Sequence, residues 1–206
     1  MKVISIGSHP DDVEIGMGGT IAKHSDKGDE VKIIICTLGG ESGHHKERKE
    51  EAHNAARILG ANTLEILDYP VYKLNNPTLE FTNIIKKKIE EFSPDRIYTH
   101  SPFDHHQVHV GVSTSVSKAT NDVKQVLFFE TISSTTTDFR PNAFVDITNH
   151  IEQKIKSLKA HKTQSNRFYI QPGITRSLAN SRYVWGKVGS DPNGLAEAFT
   201  IHKLIL

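Results

Sequence analysis

Apolar and polar positions along this chain follow two alternating periods. Residues 3–7 (VISIG) form a short apolar run after a charged start, the pattern of a buried strand. Residues 16–27 read as a helix entered through glycines and closed by Gly28. Residues 31–38 (VKIIICTL) make a second strand, and their continuous β-branched content suits a parallel strand covered on both faces. A helix over 46–59 carries Ala52, Ala55, Ala56 and Leu59 as its apolar stripe and ends at Gly60. A third strand over 63–69 stops at Pro70. Asn76 as N-cap and Pro77 in the first turn start another helix, with Leu79, Ile84, Ile85 and Ile89 facing inward and Ser93-Pro94 ending it. The pattern then predicts a strand over 96–99, a helix over 108–120, strands over 125–132 and 143–147, and a helix over 150–161 with a Lys-rich outer face. From 173 to 194 the pattern is irregular, and a short helix over 195–199 precedes a terminal strand over 200–206.

Strands and helices alternate from the start. That order predicts a Rossmann-like α/β fold, a mostly parallel sheet with helices on both faces. Such sheets place their sites beyond the carboxyl ends of the strands, near a switch in strand order. The segments that follow the strands are therefore where chemistry is expected.

Composition narrows the class. At 206 residues the chain is nearer one domain than two, and it shows no repeat or linker, so a single domain over 1–206 is expected. Lys+Arg 25 against Asp+Glu 24 leaves a net charge of +1, without the basic excess of a protein that grips nucleic acid by its phosphates. The single cysteine, Cys36, rules out an intramolecular disulfide and makes a cytoplasmic location the default; within an apolar strand it reads as a buried small hydrophobe. No apolar run nears the ~18 residues that cross a bilayer, and Met1-Lys2 leads straight into a strand without signal-peptide architecture.

Twelve histidines stand out, several in tight groups. The first strand ends in Ser8-His9-Pro10-Asp11-Asp12-Val13-Glu14, followed by Gly16, Gly18, Gly19 and Thr20. The fourth ends in His100-Ser101-Pro102-Phe103-Asp104-His105-His106-Gln107-Val108-His109. Neighbouring strand ends of this kind offer an N/O donor set, which suits Zn²⁺ or Fe²⁺ better than Mg²⁺ or Ca²⁺. Two histidines and one carboxylate without thiolates leave a position open, as catalytic rather than structural zinc requires. A plain turn is the competing account of His-Pro-Asp-Asp, since Pro and Asp form turns and Asp caps helices. A dinucleotide site is disfavoured. The glycines do not follow G-x-G-x-x-G, and Thr37-Leu38-Gly39-Gly40-Glu41 stands where the ribose-binding acid is expected.

The string His9-Pro10-Asp11-Asp12-Val13-Glu14-Ile15-Gly16-Met17-Gly18-Gly19-Thr20 resembles the signature of the PIG-L/LmbE family of metal-dependent N-deacetylases, in particular its bacillithiol-type branch. Arg48-Lys49-Glu50-Glu51-Ala52, Phe144-Val145-Asp146-Ile147-Thr148, Ala160-His161-Lys162-Thr163-Gln164 and Ala196-Glu197-Ala198-Phe199 resemble further family motifs in order. The resemblance implies removal of an acetyl group from an N-acetylglucosamine-type conjugate. It implies His9, Asp12 and His109 as metal ligands, Asp11 as general base and His106 as the protonated partner of the oxyanion and leaving amine. Zinc is the implied metal, with Fe²⁺ suited to the same ligands. A small amino-sugar conjugate is the implied partner, and a homo-oligomer is compatible with the family. Hydrolysis of another N-acyl or N-formyl amine, or metal binding with weak or lost catalysis, are the alternatives.

One position departs. The family shows D-x-H-x-D-H, and here Val108 replaces the second Asp. That carboxylate would orient and charge the acid histidine, so His106 is expected to be less readily protonated, with His105, Asp104 or His100 as substitutes. Arg48 is a candidate for an anionic aglycone, against a surface ion pair with Glu47 or Glu51. Glu41, within Glu41-Ser42-Gly43-His44-His45, is a candidate substrate contact on a covering loop, against a solvated connector. His161 is expected to seat a C-terminal loop and not to ligate metal.

Overall fold

The first strand, β1 (Lys2–Gly7), sends alternate side chains into two different cores. The structure, a computed structural model, describes residues 1–39, 44–134 and 138–205. Ile4 and Ile6 join Ile34, Phe81, Ile85, Ile97 and Val112 on one face of the sheet. Val3 joins Met17, Ile21, Ile33, Ala52 and Tyr98 on the other. A strand buried on both faces needs helices on both, and the chain supplies them in order. After β1 come α1 (Asp12–Asp26), β2 (Glu30–Ile35), α2 (His45–Leu59), β3 (Thr63–Ile66), α3 (Val71–Leu74), α4 (Leu79–Phe92), β4 (Arg96–His100), α5 (Gln107–Ala119) and β5 (Gln125–Phe129). The remainder is β6 (Ala143–Asp146), α6 (Ile151–Ala160), α7 (Pro172–Trp185) and β7 (Ala196–Leu204).

The sheet has seven strands in the order β3-β2-β1-β4-β5-β7-β6. The first five are parallel, and β7 runs antiparallel to both β5 and β6. The chain winds outward from β1 to β3, then returns to the centre at β4. The switch in strand order therefore falls between β1 and β4, and the crevice lies where Gly7 and His100 end them. The predicted Rossmann-like α/β class is the fold observed.

Several elements differ from the sequence pattern. Thr78, not Asn76, caps α4, its Oγ1 accepting the Phe81 N–H at 3.3 Å. Leu79 then falls in the first turn and is 76% exposed instead of inward. The irregular stretch contains α7, started by Pro172 at its first turn and packed on α6 through Ala179, Ile151 and Ile155. Residues 195–199 are not a helix. Ala196-Glu197-Ala198-Phe199 has helix-forming composition, but pairing with β5 and β6 makes it the start of β7.

Helix α1 starts at Asp12, earlier than its glycines suggest, and breaks at Met17 (φ −151°, ψ 25°). The break separates the Gly19 N–H from the Ile15 carbonyl, its normal partner four residues back. Both find replacements. Glu197 accepts from Gly19 N at 2.9 Å and Thr20 N at 2.7 Å, and Lys154 donates to the Ile15 carbonyl at 2.7 Å. Lys154 also meets Glu197 at 2.6 Å, so this lysine of α6 belongs to the interior and not to the wet face. The glycines serve the same close packing. A Cβ on Gly16 would strike the Phe129 ring, and one on Gly19 would come within 2.8 Å of Ile147. Lys154→Met, which leaves Glu197 buried and uncompensated, is expected to cost ~3–5 kcal/mol of unfolding free energy. Lys156→Met on the exposed side of α6 should stay within ~0.5 kcal/mol of wild type in the same urea titration.

Candidate active site

Chemistry collects where β1 turns into α1. Asp11 stands at φ 102°, ψ −27°, a left-handed conformation that costs a non-glycine residue ~1–3 kcal/mol. The turn lets the adjacent Asp11 and Asp12 carboxylates serve different partners. Asp12, the first residue of α1, sits at a helix N-terminus, which favours a carboxylate. Its Oδ2 accepts the His9 backbone N–H at 2.7 Å and lies 3.2 Å from His9 Nδ1. Its Oδ1 lies 3.3 Å from His109 Nε2. Burial alone would raise the Asp12 carboxyl, but His109 and His100 outweigh it and hold it well below the ordinary range.

The opposite wall comes from the segment after β4. Asp104 Oδ2 accepts from Thr131 Oγ1 at 2.8 Å and lies 3.0 Å from His109 Nδ1, while Oδ1 accepts the His106 backbone N–H at 2.7 Å. His109 stands between two carboxylates, Nδ1 toward Asp104 and Nε2 toward Asp12, which raise it to about 10 against its burial. This is the carboxylate–histidine arrangement that orients metal ligands. The His106 ring stacks on His109 with centroids 4.4 Å apart, and His9 lies 5.0 Å from His106.

Two groups of three side chains have ligand atoms within 4.8 Å of one another: His9, His106 and His109, and Asp12, His100 and His109. His100 is engaged already. The Ser8 N–H donates to its Nε2 at 2.9 Å, and burial followed by the His109 charge lowers it to about 4. The single lone pair of this neutral ring therefore belongs to Ser8. With His100 engaged, His9, His106 and His109 remain the converging group, and Asp12 meets His9 and His109 pairwise at 3.2 and 3.3 Å, a mixed N/O set that fits a divalent transition metal. The ring nitrogens of His9 and His109 turned toward the Asp12 carboxylate are the observation behind that fit.

Asp11 is 4% exposed, and burial followed by the Asp12 charge raises its carboxyl to about 7, against the pull of His161 and Arg48. That is the range in which a carboxylate exchanges protons near neutrality. His106 is lowered, first by burial and then by the His109 and His9 charges. These causes do not involve Val108, whose side chain packs in the core cluster with Ile4, Ile6 and Val112.

His9, Asp11, Asp12, Arg48, His106 and His109 all line one cleft of about 330 Å³. Arg48 donates to the Pro10 carbonyl at 3.2 Å, and its buried Nε has no partner among the described residues. Of the partners in the competing ion-pair account, Glu51 is engaged elsewhere, accepting from Thr163 N at 2.9 Å and Thr163 Oγ1 at 2.7 Å. Glu41 lies outside the described residues. His161 is 1% exposed and 3.6 Å from Glu14. Sequence reasoning did not assign Asp104 to His109, and it did not single out Gln164 or Tyr169, which close the far wall. A histidine preceded five residues earlier by an aspartate in an irregular loop was the only signal for the first. Gln164 lies in the string over residues 160–164 that resembles a family motif, and Tyr169 gave no signal.

An α/β sheet with paired carboxylates and a histidine group at its switch point defines a hydrolase-type site with a place for a metal. The comparisons specify the family. A family model described as PIG-L: GlcNAc-PI de-N-acetylase matches residues 4–120. The chain is 32% identical over 169 residues to the uncharacterized deacetylase YaiS of Escherichia coli K12, covering 78% of this chain and 90% of that one. It is 30% identical over 199 residues to diacetylchitobiose deacetylase of Thermococcus kodakarensis, covering 79% and 70%. The solved N,N'-diacetylchitobiose deacetylase of Pyrococcus horikoshii superposes with a TM-score of 0.81 at 26% identity, over 97% of this chain and 83% of that one. The chain belongs to the PIG-L family and is an N-deacetylase.

The left-handed turn is testable apart from activity. Asp11→Gly and Asp11→Ala both remove the carboxylate, but only glycine adopts φ 102° without strain. The glycine variant is expected to be more stable than the alanine variant by ~1–2 kcal/mol in urea unfolding, despite the usual preference for alanine.

Proposed function

We propose that this chain is a zinc-dependent deacetylase that removes the N-acetyl group from an N-acetylglucosamine-type amino-sugar conjugate. The observation that carries this reading is the cleft in which His9, Asp12 and His109 converge while Asp11 stands beside them, turned by its left-handed backbone. The relatives named for diacetylchitobiose support an acetylated amino sugar as substrate.

His9, Asp12 and His109 would hold the ion, and Asp104 would keep the His109 Nε2 lone pair directed at it. When bound, zinc supplies a Lewis acid for the acetyl carbonyl and lowers the pKa of a water to ~7. Asp11 accepts the proton of the attacking water. The water oxygen adds to the acetyl carbon, the C–N bond breaks, and acetate and a free amine are released. His106, at the cleft rim, faces the acetyl oxygen as charge grows there and returns a proton to the leaving nitrogen. Arg48 and Glu41 contact the rest of the substrate, Arg48 taking an anionic group of the aglycone. Residues 1–206 act as one LmbE-like domain, and the cytoplasm is the compartment this reading implies. No helix among the described residues is long and apolar enough to cross a membrane.

The test is release of free amine, read with fluorescamine, from a panel of N-acetylglucosamine conjugates together with N-formyl and other N-acyl amines. Asp11→Asn is expected to lower kcat by ~10²–10⁴-fold while bound zinc, counted by plasma mass spectrometry, stays at the wild-type level. Asp12→Asn is expected to lose the metal and the activity together. Release only from non-acetyl members would replace the acetyl group in this reading. Full activity in Asp11→Asn would overturn the assignment of the base.

A further inference from the structure

The last turns of α1 border a second concavity of about 240 Å³, at the end of the helix away from Asp12. A helix of 15 residues at ~1.5 Å rise separates the two by ~20 Å. Lys23 of α1, Lys27 just past its end, Arg96 at the start of β4, Thr20, Asp146 and the Phe144 ring line it.

Its cations are not neutralised by the protein. Lys23 donates to the Asp146 backbone carbonyl at 2.7 Å. Arg96 donates from Nε to the Gln125 amide oxygen at 2.6 Å and from Nη1 to the Tyr98 hydroxyl at 3.1 Å, both uncharged acceptors. Among the described residues no ion pair engages Lys23, Lys27 or Arg96, and Arg96 Nη2 has no partner. The nearby carboxylates are occupied. Asp29 holds the N-terminal ammonium at 2.6 Å and His24 Nδ1 at 2.7 Å. Asp146 Oδ1 accepts from Thr148 N at 2.9 Å and Thr148 Oγ1 at 2.7 Å. Asp26 faces His150 at 3.1 Å.

Lysines in the last turn of a helix are expected from its dipole alone. That account does not cover Arg96, which arrives from a strand. Nor does it cover Thr20, which is 1% exposed, lines the pocket, and has an Oγ1 with no partner among the described residues. A buried hydroxyl without a partner carries a penalty that a ligand acceptor would remove.

We propose that this pocket binds the phosphate group of a small phosphorylated molecule. The free edge of the Arg96 guanidinium and the two ammonium groups match a dianion with several acceptor oxygens, and three cations against the single carboxylate of Asp146 leave the wall net positive. Phe144 and Val145 offer an apolar wall to the organic body, with the buried Thr20 hydroxyl beneath the pocket. The site is independent of the reaction at Asp12.

The test is isothermal titration of the full chain with inorganic phosphate, glucose 6-phosphate and glucose at constant ionic strength. Saturable binding of glucose 6-phosphate, with inorganic phosphate weaker and glucose absent, is the expected result. Lys27→Glu lies on an exposed position and is expected to weaken that binding by ~10-fold or more, with deacetylation rate and unfolding midpoint unchanged. Arg96→Gln, checked for folding by the same unfolding curve, should act in the same direction. Inorganic phosphate binding as tightly as the sugar phosphate would overturn the role of the organic body and with it the ligand class. No saturable binding, or binding that both variants leave intact, overturns the site. Binding abolished by Asp12→Asn but not by Lys27→Glu assigns the phosphate to the catalytic cleft and equally overturns it.

Discussion

Two adjacent carboxylates cannot serve different partners in one site unless the backbone turns sharply between them. At Asp11 it does, through a left-handed residue with a side chain poorly suited to that conformation. The strain persists because the flanking structure leaves no alternative. Upstream, the strand is fixed by pairing with β2 and β4. Downstream, α1 is pinned by contacts that reach the far end of the chain. Glu197 caps the freed amides of the kinked helix, and Lys154 satisfies the freed carbonyl. Local strain at the site is thus offset by buried polar contacts more than one turn away, and these rest on β7 and α6.

The electrostatics follow from the same turn. Asp12 accepts the His9 backbone N–H and has the His109 charge beside it, so it stays ionised although buried. Its charge then acts on Asp11 beside it, where burial and a like-charged neighbour raise the carboxyl. One carboxylate is held charged and the other near neutrality by environment alone. Asp104 completes the arrangement from the second strand end by fixing the His109 ring. The His9, His106 and His109 rings all line the cleft.

Much of this was legible in the chain. The alternation of strands and helices predicts the sheet, because burial on both faces leaves an unbroken β-branched run in VKIIICTL. The HPDD string and the D-x-H-x-x-H string predict the site, because a doubly wound sheet brings the ends of its central strands together. Failures have one cause. Ala196 to Phe199 has the local preference of a helix and becomes a strand through pairing partners far away in sequence. Lys154 has the look of a surface residue and is buried because a kink elsewhere exposes a carbonyl. Leu79 points outward because a threonine two residues later than the expected cap starts its helix.

The sequence by itself determined the class of fold, the two strand ends where chemistry sits and the kinds of donor atom there. Periodicity and residue type are local properties, and they survive without knowledge of packing. The tertiary structure alone decided which histidines remain free. His100 ends β4 and His109 stands in the first turn of α5, yet the backbone amide of Ser8, just after β1, takes the lone pair of the first, and Asp104 holds the second against Asp12. Tautomer, burial and charge state depend on neighbours brought from distant parts of the chain. No reading of spacing supplies them.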